Sequence, residues 1–477
     1  MSFPSIKTVK VFFLPGKIHR IRVVFFLVLF LFNFSNAFSQ SYGSHSGFSS
    51  DQSAKFLSFL DSGRLYFQDS SKDSTPKEIF HSSFQDTRLI ETIANNAGCV
   101  FLFGQSRDEE HPFYPLSWKL RQHIHEFKYL ELFSLPFLAF HDGVNDRTWI
   151  KKYYSKGDVD FSRVINDENC SVSIFGEQHL RPMIFENGDF SARKNLVLLQ
   201  IASDGRIKKH LSWQVKGQVL VNSICKHKNN DYSFVWTRYD LDRSYVAHVK
   251  ASGKIEWVYE LKNVINYKSF VFPLQNGSTI YCFQTHYIGE TSAVKLVLVE
   301  LNENGARFIT AIQIPKGQIM GKVALEFPMA EIVVAKEQTG KIALLTLIRV
   351  GETRMTTFEN GIENTISQTP SQSVQGIVLD LDGKIIYYRN QEIPVEPAVC
   401  GISIELTPSL KGTYAFSPHV ATASFTSTFS FENSSELSEK VSTESLNLSI
   451  FRCDGELTEV SNIEIFSSPA KSLSFIR

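Results

Sequence analysis

RQHIHEF (residues 121–127) places His123 and His125 two apart with Glu126 beside them, and His111 lies upstream. On an extended strand, residues two apart share a face, so both imidazoles would point the same way, as ligands of a zinc ion must. No third ligand is fixed by spacing, and the helical H-E-x-x-H arrangement of zinc proteases is absent. The pair therefore reads as an exposed polar edge, and no metal site is assigned. What is unusual is the interval around it. Residues 107–134 form an insertion where comparable intervals are short, and it is rich in aromatic side chains. Long connections on rigid scaffolds are where binding tends to reside. Phe113, Tyr114, Trp118, His123, His125, Phe127 and Tyr129 are thus the candidate partner-binding residues.

Other chemistry is sparse. Asp380-x-Asp382-Gly383 has part of a calcium-loop spacing, but the first and last ligand positions fall on Val378 and Arg389, so it reads as a turn. The chain has no G-x-S-x-G elbow, no Walker loop and no dinucleotide fingerprint. No catalytic residue and no cofactor are assigned. Isolated acidic residues converging on the centre of a ring could form a glycosidase pair, a geometry that spacing alone does not reveal.

The elements that must position these residues are short strands joined by turns. In 195–213, an apolar run from Leu196 to Ile201 meets Asp204-Gly205, and Ile207, Leu211 and Trp213 follow. Asp-Gly between two such runs is a hairpin signal, because both residues adopt positive φ cheaply. The same design recurs around Gly63, Gly143, Gly253, Gly305, Gly351, Gly383 and Gly455. A second motif precedes it: RLIETIANNAGCVFLFGQ (88–105) and FSRVINDENCSVSIFGEQ (161–178) are two copies of strand, Asn/Asp-rich turn, apolar strand, Phe-Gly. The unit is therefore strand, turn, strand, loop, strand, Asp-Gly turn, strand. Four short antiparallel strands per unit make a propeller blade. Third strands such as NLVLLQI read as almost continuous apolar runs, as expected of strands buried on both faces. The fold class is all-β, a β-propeller of four-stranded antiparallel blades, about seven (six to eight). Eight hairpins then leave one shared at the closure or outside the ring.

TWIKKYYSKGDVDFSRVINDENCSVSIFGE (148–177) resembles the repeat of secreted bacterial β-propeller proteins. Trp149, Lys151, Tyr153, Gly157 and Asp158 match its Trp-x-Lys-x-Tyr run and Gly/Asp loop, and Trp257 keeps the tryptophan position. The resemblance covers 88–310. It implies a propeller fold and export, and assigns no reaction.

Residues 1–39 read as a signal peptide: Lys7, Lys10, Lys17, Arg20 and Arg22 precede VVFFLVLFLF (23–32), then SNAFSQ, whose ending resembles leaders of exported Bacteroidetes proteins. The apolar run is short of the roughly 20 residues a membrane span needs. Residues 40–54 read as a flexible, Ser/Gly-rich lead-in, 68–86 as a loop, and 55–477 as the propeller. The alternative is a propeller over 55–359 followed by a small β domain over 360–477. The whole chain of 477 residues balances 49 basic against 49 acidic side chains. The leader carries no Asp or Glu, so the mature chain is mildly acidic and nucleic acid is not an expected partner. No later stretch reads as a membrane span. A secreted, periplasmic or surface location follows.

Six cysteines lie far apart. Cys99 and Cys170 occupy the same place in two motif copies, which predicts two equivalently packed free thiols rather than a bridge. The expected function is that of an exported, non-catalytic propeller binding a protein or glycan through its loops. The alternative is a carbohydrate-active hydrolase or lyase with acidic residues at the central channel.

Overall fold

The computed structural model describes the strands between Ser44 and Ser472 and the tight turns beside them, among them 202–206, 227–231, 250–254, 274–278 and 381–384. Residues 1–43, 108–133, 180–193, 417–425, 432–448 and other connections lie outside the described residues, and with them the leader and nearly all of the aromatic insertion.

The chain is all-β, built as successive antiparallel sheets. Sheet 1 comprises Ser44–Phe48, Lys55–Asp61, Arg64–Asp69 and Lys77–His81. Sheet 2 comprises Thr87–Ala94, Cys99–Arg107, Ser134–Asp142 and Arg147–Ser155. Sheet 3 follows with Asp158–Asp167, Ser171–His179, Lys194–Ile201 and Ile207–Val215. Sheet 4 has Val219–Lys226, Tyr232–Arg238, Arg243–Val249 and Ile255–Lys262. Sheet 5 has Phe270–Pro273, Thr279–Thr285, Lys295–Asn302 and Gly305–Gln313. Sheet 6 has Met329–Gln338, Lys341–Val350, Ser371–Asp380 and Ile385–Ile393. Sheet 7 holds three strands, Val399–Leu406, Leu410–Phe416 and Thr426–Phe431. The first strand of each sheet contacts the first strand of the next, and Val399–Leu406 returns to Ser44–Phe48. Sheets stacked around a common centre in this way are the blades of a β-propeller.

Packing follows from the two-residue period of a strand. In Lys194–Ile201, Leu196 and Leu198 face sheet 4 and share a cluster with Phe234 and Trp236. Val197, Leu199 and Ile201 face sheet 2 and pack with Phe101, Phe140 and Trp149. Each core is thus the interface between two sheets, and a strand covered on both sides has no polar face. The same holds between sheets 4 and 5 around Tyr281 and Phe283, and between sheets 5 and 6 around Leu298 and Leu344.

Several hairpins differ from the sequence reading. Those around Gly143, Gly205, Gly253, Gly305 and Gly383 do join third to fourth strands. The strands flanking Gly63 are instead the second and third of sheet 1, because Ser44–Phe48, inside the presumed lead-in, supplies the first and Lys77–His81, inside the presumed loop, the fourth. The strand after Gly351, Thr353–Glu359, pairs with Ile362–Gln368 as a separate two-stranded hairpin inserted in sheet 6. The Gly455 turn joins no hairpin: Ser449–Arg452 pairs with the outer strand of sheet 4 and Thr458–Glu459 with that of sheet 3. Ile465–Ser467 and Lys471–Ser472 then pair with the outer strand of sheet 2. The eighth turn signal therefore belongs to a C-terminal strap.

Cys99 and Cys170 are joined in a disulfide with Cα atoms 5.7 Å apart. The expectation of two separate thiols fails because equivalent positions of adjacent, face-stacked blades are neighbours in space. In sheets 2 and 3 the start of the second strand and the turn before it meet across the interface. Cys170 sits at φ +51, a backbone region uncommon for a side chain with a Cβ.

Antiparallel order also sorts the connections. First-to-second and third-to-fourth turns leave one end of each sheet; second-to-third connections and links between sheets leave the other. From sheet 2 to sheet 6 the first end carries tight turns such as 227–231, 250–254 and 381–384. The second end carries the second-to-third intervals 108–133, 180–193, 286–294 and 351–370 and the short 239–242 of sheet 4, and its links between sheets include the short 156–157 and 216–218.

Candidate functional site

Phe113, Tyr114, Trp118, His123, His125, Phe127 and Tyr129 all lie outside the described residues. The flanking strands, Cys99–Arg107 and Ser134–Asp142, fix where their segment leaves the scaffold: at the end with the long connections.

At the tight-turn end, sheet 4 holds a polar cluster that the sequence reading missed. The turn HKNND closes through His227 N–H to the Asp231 carbonyl at 2.8 Å and Asn230 N–H to the His227 carbonyl at 3.0 Å, with Asn230 at φ +66. Asparagine tolerates that left-handed conformation, which explains the Asn-rich turn. Ser233, His248 and Trp257 then sit directly opposite one another on the second, third and fourth strands. The Ser233 hydroxyl lies 2.9 Å from His227 Nε2, 2.9 Å from His248 Nδ1 and 2.7 Å from the Thr279 hydroxyl of sheet 5. On its other edge, His248 Nε2 lies 3.6 Å from Asp231 Oδ2 and 3.3 Å from Glu256 Oε2, while its ring stacks on Trp257 at 5.3 Å. Asp231 is held in place by the Ala251 N–H at 2.7 Å and the Asn229 side-chain amide at 2.6 Å.

By residue type, Ser233, His248 and Asp231 are the members of a hydrolytic triad. Their placement gives a different role. Ser233 is fully buried and its oxygen is engaged by three neighbours, so no substrate carbonyl reaches it. Asp231, His248 and Glu256 also bring three potential ligand atoms within 4.8 Å of one another. Here Lys250 supplies the positive charge, with Nζ 2.6 Å from Glu256 and 3.6 Å from Asp231. Burial lowers the pKa of His227 to about 4, helped by repulsion from His248 and opposed by Asp231. Burial also lowers His248, against the pull of Glu256 and Asp231. Both rings are therefore neutral near pH 7. A comparable network joins sheets 3 and 4, where Lys226 Nζ meets Asp167 at 2.6 Å and the Gln200 amide donates to the Tyr232 hydroxyl at 2.6 Å. Polar clusters at this end fasten one blade to the next.

Beside the cluster, sheets 4, 5 and 6 border a cleft of about 400 Å³ lined by Lys226, Lys228, Phe272, Pro273, Leu274 and Glu337. Lys226 is committed to Asp167, and Glu337 accepts from the backbone N–H of Gln275 at 2.7 Å and of Gly340 at 3.2 Å. These groups stitch neighbouring blades and form no convergent set of donors for a ligand. His227, Asp231, Ser233 and His248 were legible only as isolated letters. Counting back from the 239–242 connection aligns Ser233 with His248, but counting back from the 250–254 turn points to Glu256, because a register shift after His248 brings Trp257 opposite it instead.

The repeat signature has a structural meaning as well. The Trp149 indole donates to the Ser203 carbonyl at 2.7 Å, and Lys151 Nζ and the Tyr153 hydroxyl both donate to the Gly205 carbonyl at 3.2 Å. The matched Trp-x-Lys-x-Tyr run thus grips the turn of the next blade. In sheet 3 that role falls to Trp213, whereas Trp257, assigned to it from sequence, stacks on His248.

No protein-family profile matches the chain, and no curated protein matches it. Among solved structures, one titled "Structure of Dos1 propeller" aligns over 77% of this chain and 88% of that one, at 9% identity and a TM-score of 0.38. The fold assignment rests on the strand pairing and the succession of sheets described above. The class these define is a β-propeller scaffold.

Proposed function

We propose that the chain is a seven-bladed, exported binding propeller that takes a protein or glycan partner at the end bearing its long connections. The observation that carries this reading is an asymmetry within sheets 2 to 6: first-to-second and third-to-fourth strands are joined by tight turns, whereas four of the five second-to-third intervals are long, 108–133, 180–193, 286–294 and 351–370. Blade packing demands only that strands be joined, and loop closure depends weakly on length, so stability alone supplies no reason for the long intervals to gather at one end. Rigid scaffolds present binding residues on such connections. Phe113, Tyr114, Trp118, Phe127 and Tyr129 are the aromatic complement of that end, and aromatic side chains dominate binding hot spots. Export is supported by the Cys99–Cys170 bridge, since disulfides persist in oxidising compartments, and by the leader-like residues 1–39.

The test is a deletion of 112–132 with the ends rejoined, assayed beside the intact chain for capture of surface proteins and for binding to a glycan array. The expected outcome is loss of capture with an unchanged melting transition. Retained capture by the folded deletion variant overturns the assignment to this end.

A further inference from the structure

The strap leaves the ring at no single blade. Running backward over the outer rim, it adds Ser449–Arg452 to Tyr259–Lys262 of sheet 4, Thr458–Glu459 to Trp213 and Gln214 of sheet 3, and Ile465–Ser467 to Tyr153–Ser155 of sheet 2. An outer strand without such a neighbour shows a row of free N–H and C=O groups, a template for any extended chain. Here three successive rows are occupied by one segment.

We propose that these three edges form a strand-accepting groove and that residues 449–472 are an exchangeable occupant of it, so that the C-terminal segment of a second copy docks there in the same register. The groove has the parts of a peptide site that recognises by strand addition, with main-chain pairing for affinity and side-chain contacts for selectivity. Main-chain pairing includes Cys453 N–H to the Val258 carbonyl at 3.0 Å, Val460 N–H to the Ser212 carbonyl at 3.0 Å and Ser468 N–H to the Lys152 carbonyl at 2.9 Å. Selectivity comes from Leu457, which is buried in the cluster of Trp213, Leu211 and Val258 between sheets 3 and 4. Glu456 pairs with Arg238 at 3.1 Å, and Glu459 accepts the Ile255 N–H at 3.2 Å. Arg452 reaches the carbonyls of Glu303 and Glu256.

Exchange follows from how lightly the segment is held. Each ladder is two to four residues long. Its two phenylalanines, Phe451 and Phe466, remain 49% and 36% exposed. The hold is therefore a sum of weak contacts made effective by covalent attachment, which raises the local concentration of the strap. The attachment is also long. Residues 432–448 separate Phe431 from Ser449, and a chain can span up to about 3.3 Å per residue. A segment of this kind swaps between copies at low cost, because every contact is reproduced.

The experiment uses a fluorescent synthetic peptide of residues 449–472, with Cys453→Ser to prevent oxidation, titrated into the full-length protein and into full-length Leu457→Asp. The substitution weakens the protein's own strap and leaves the groove intact. The expected result is binding to Leu457→Asp about tenfold or more tighter than to the wild type, from the lost burial of one leucine in the competing strap. A peptide carrying Leu457→Asp should lose that binding. Should Leu457→Asp fail to fold, the full-length double variant Glu456→Arg, Glu459→Arg loosens the strap at two less buried contacts. No binding to a folded variant, equal binding of a scrambled peptide, or failure of both variants to fold overturns the proposal. Residues 112–132 are untouched in every arm, so this outcome is independent of the partner site proposed above.

Discussion

The Trp213 indole N–H donates to the Gly253 carbonyl at 2.8 Å, from the outer strand of sheet 3 to the outer turn of sheet 4. The relation recurs around the rim. Trp149 reaches Ser203, the Tyr259 hydroxyl reaches Asn302 at 2.8 Å, and Arg307 reaches Leu381 at 2.9 Å. The outer strands of sheets 2 to 5 thus each hold a carbonyl at the tight turn of the next blade. Trp213→Phe keeps most of the volume and strands that carbonyl, which should cost about 1–3 kcal/mol. Trp213→Ala also opens a cavity among Phe234, Leu211 and Val215 and should cost about 3–5 kcal/mol. Urea unfolding of the two variants measures both. Equal losses would show that packing alone matters at this site.

The Cys99–Cys170 bridge spans a separation of 71 residues and ties sheet 2 to sheet 3. Loop-closure entropy sets its contribution at about 4 kcal/mol as an upper figure, with about 2–4 typical. Cys99→Ser with Cys170→Ser should lower stability by that amount without changing the fold. Cys225 and Cys282 are buried, and burial raises the pKa of both thiols, so they should resist alkylation until the chain unfolds. Mass spectrometry after native alkylation reads this directly. Rapid labelling of Cys225 in the native protein would contradict the packing between sheets 4 and 5.

The buried histidines make stability pH-dependent in a defined direction. In the unfolded chain both titrate near pH 6.5; in the fold, burial holds His227 at about 4 and lowers His248. The unfolded state therefore binds more protons as pH falls from about 6.5 to 4. Stability should decline through that window and level off for His227 below it. His227 alone accounts for the order of 3 kcal/mol. Asp231 opposes its shift, and Glu256 and Asp231 act on His248 in the same sense, while Lys250 adds to the lowering of His248. His227→Gln should flatten the slope of unfolding free energy between pH 6.5 and 4. An unchanged slope would place the protonation cost elsewhere.

Gly176 closes the second copy of the Phe-Gly motif at a register shift in the ladder with Asp158–Asp167. A Cβ there would lie 2.1 Å from the Asp160 carbonyl oxygen and 2.5 Å from the Phe161 Cα, both backbone atoms that cannot swing aside. Gly176→Ala should therefore destabilise by several kcal/mol, in the range of about 1–3 for overpacking or beyond. The open turn position Gly277 provides the comparison. Nothing lies within 4 Å of its Cβ site, so Gly277→Ala should cost only the strain of its positive φ, about 1 kcal/mol. Thermal melts of the two variants, side by side, test the contrast.

Much of the fold was legible because it is local. An apolar run such as Leu196–Ile201 followed by Asp204-Gly205 dictates a buried strand and a reversal wherever it occurs, and turn chemistry fixes its partner in sheet 3. The Phe-Gly motif likewise marked the second strands of sheets 2 and 3. What the chain could not state in one dimension is which distant segments share an edge. Gly455 carries the same turn letters as Gly383, yet its flanking strands pair with sheets 4 and 3 because the outer edges there stand open to them. Ser233, His248 and Asp231 look like unrelated polar letters until cross-strand register aligns them beside Thr279 of the neighbouring sheet. Cys99 and Cys170 make the point most sharply. Their shared motif puts them at equivalent positions of two units, which suggested equal and separate packing. Only the stacking of one blade on the next decided that equivalent positions touch, and at a Cα separation of 5.7 Å two thiols facing each other across a sheet interface are within reach of a bond.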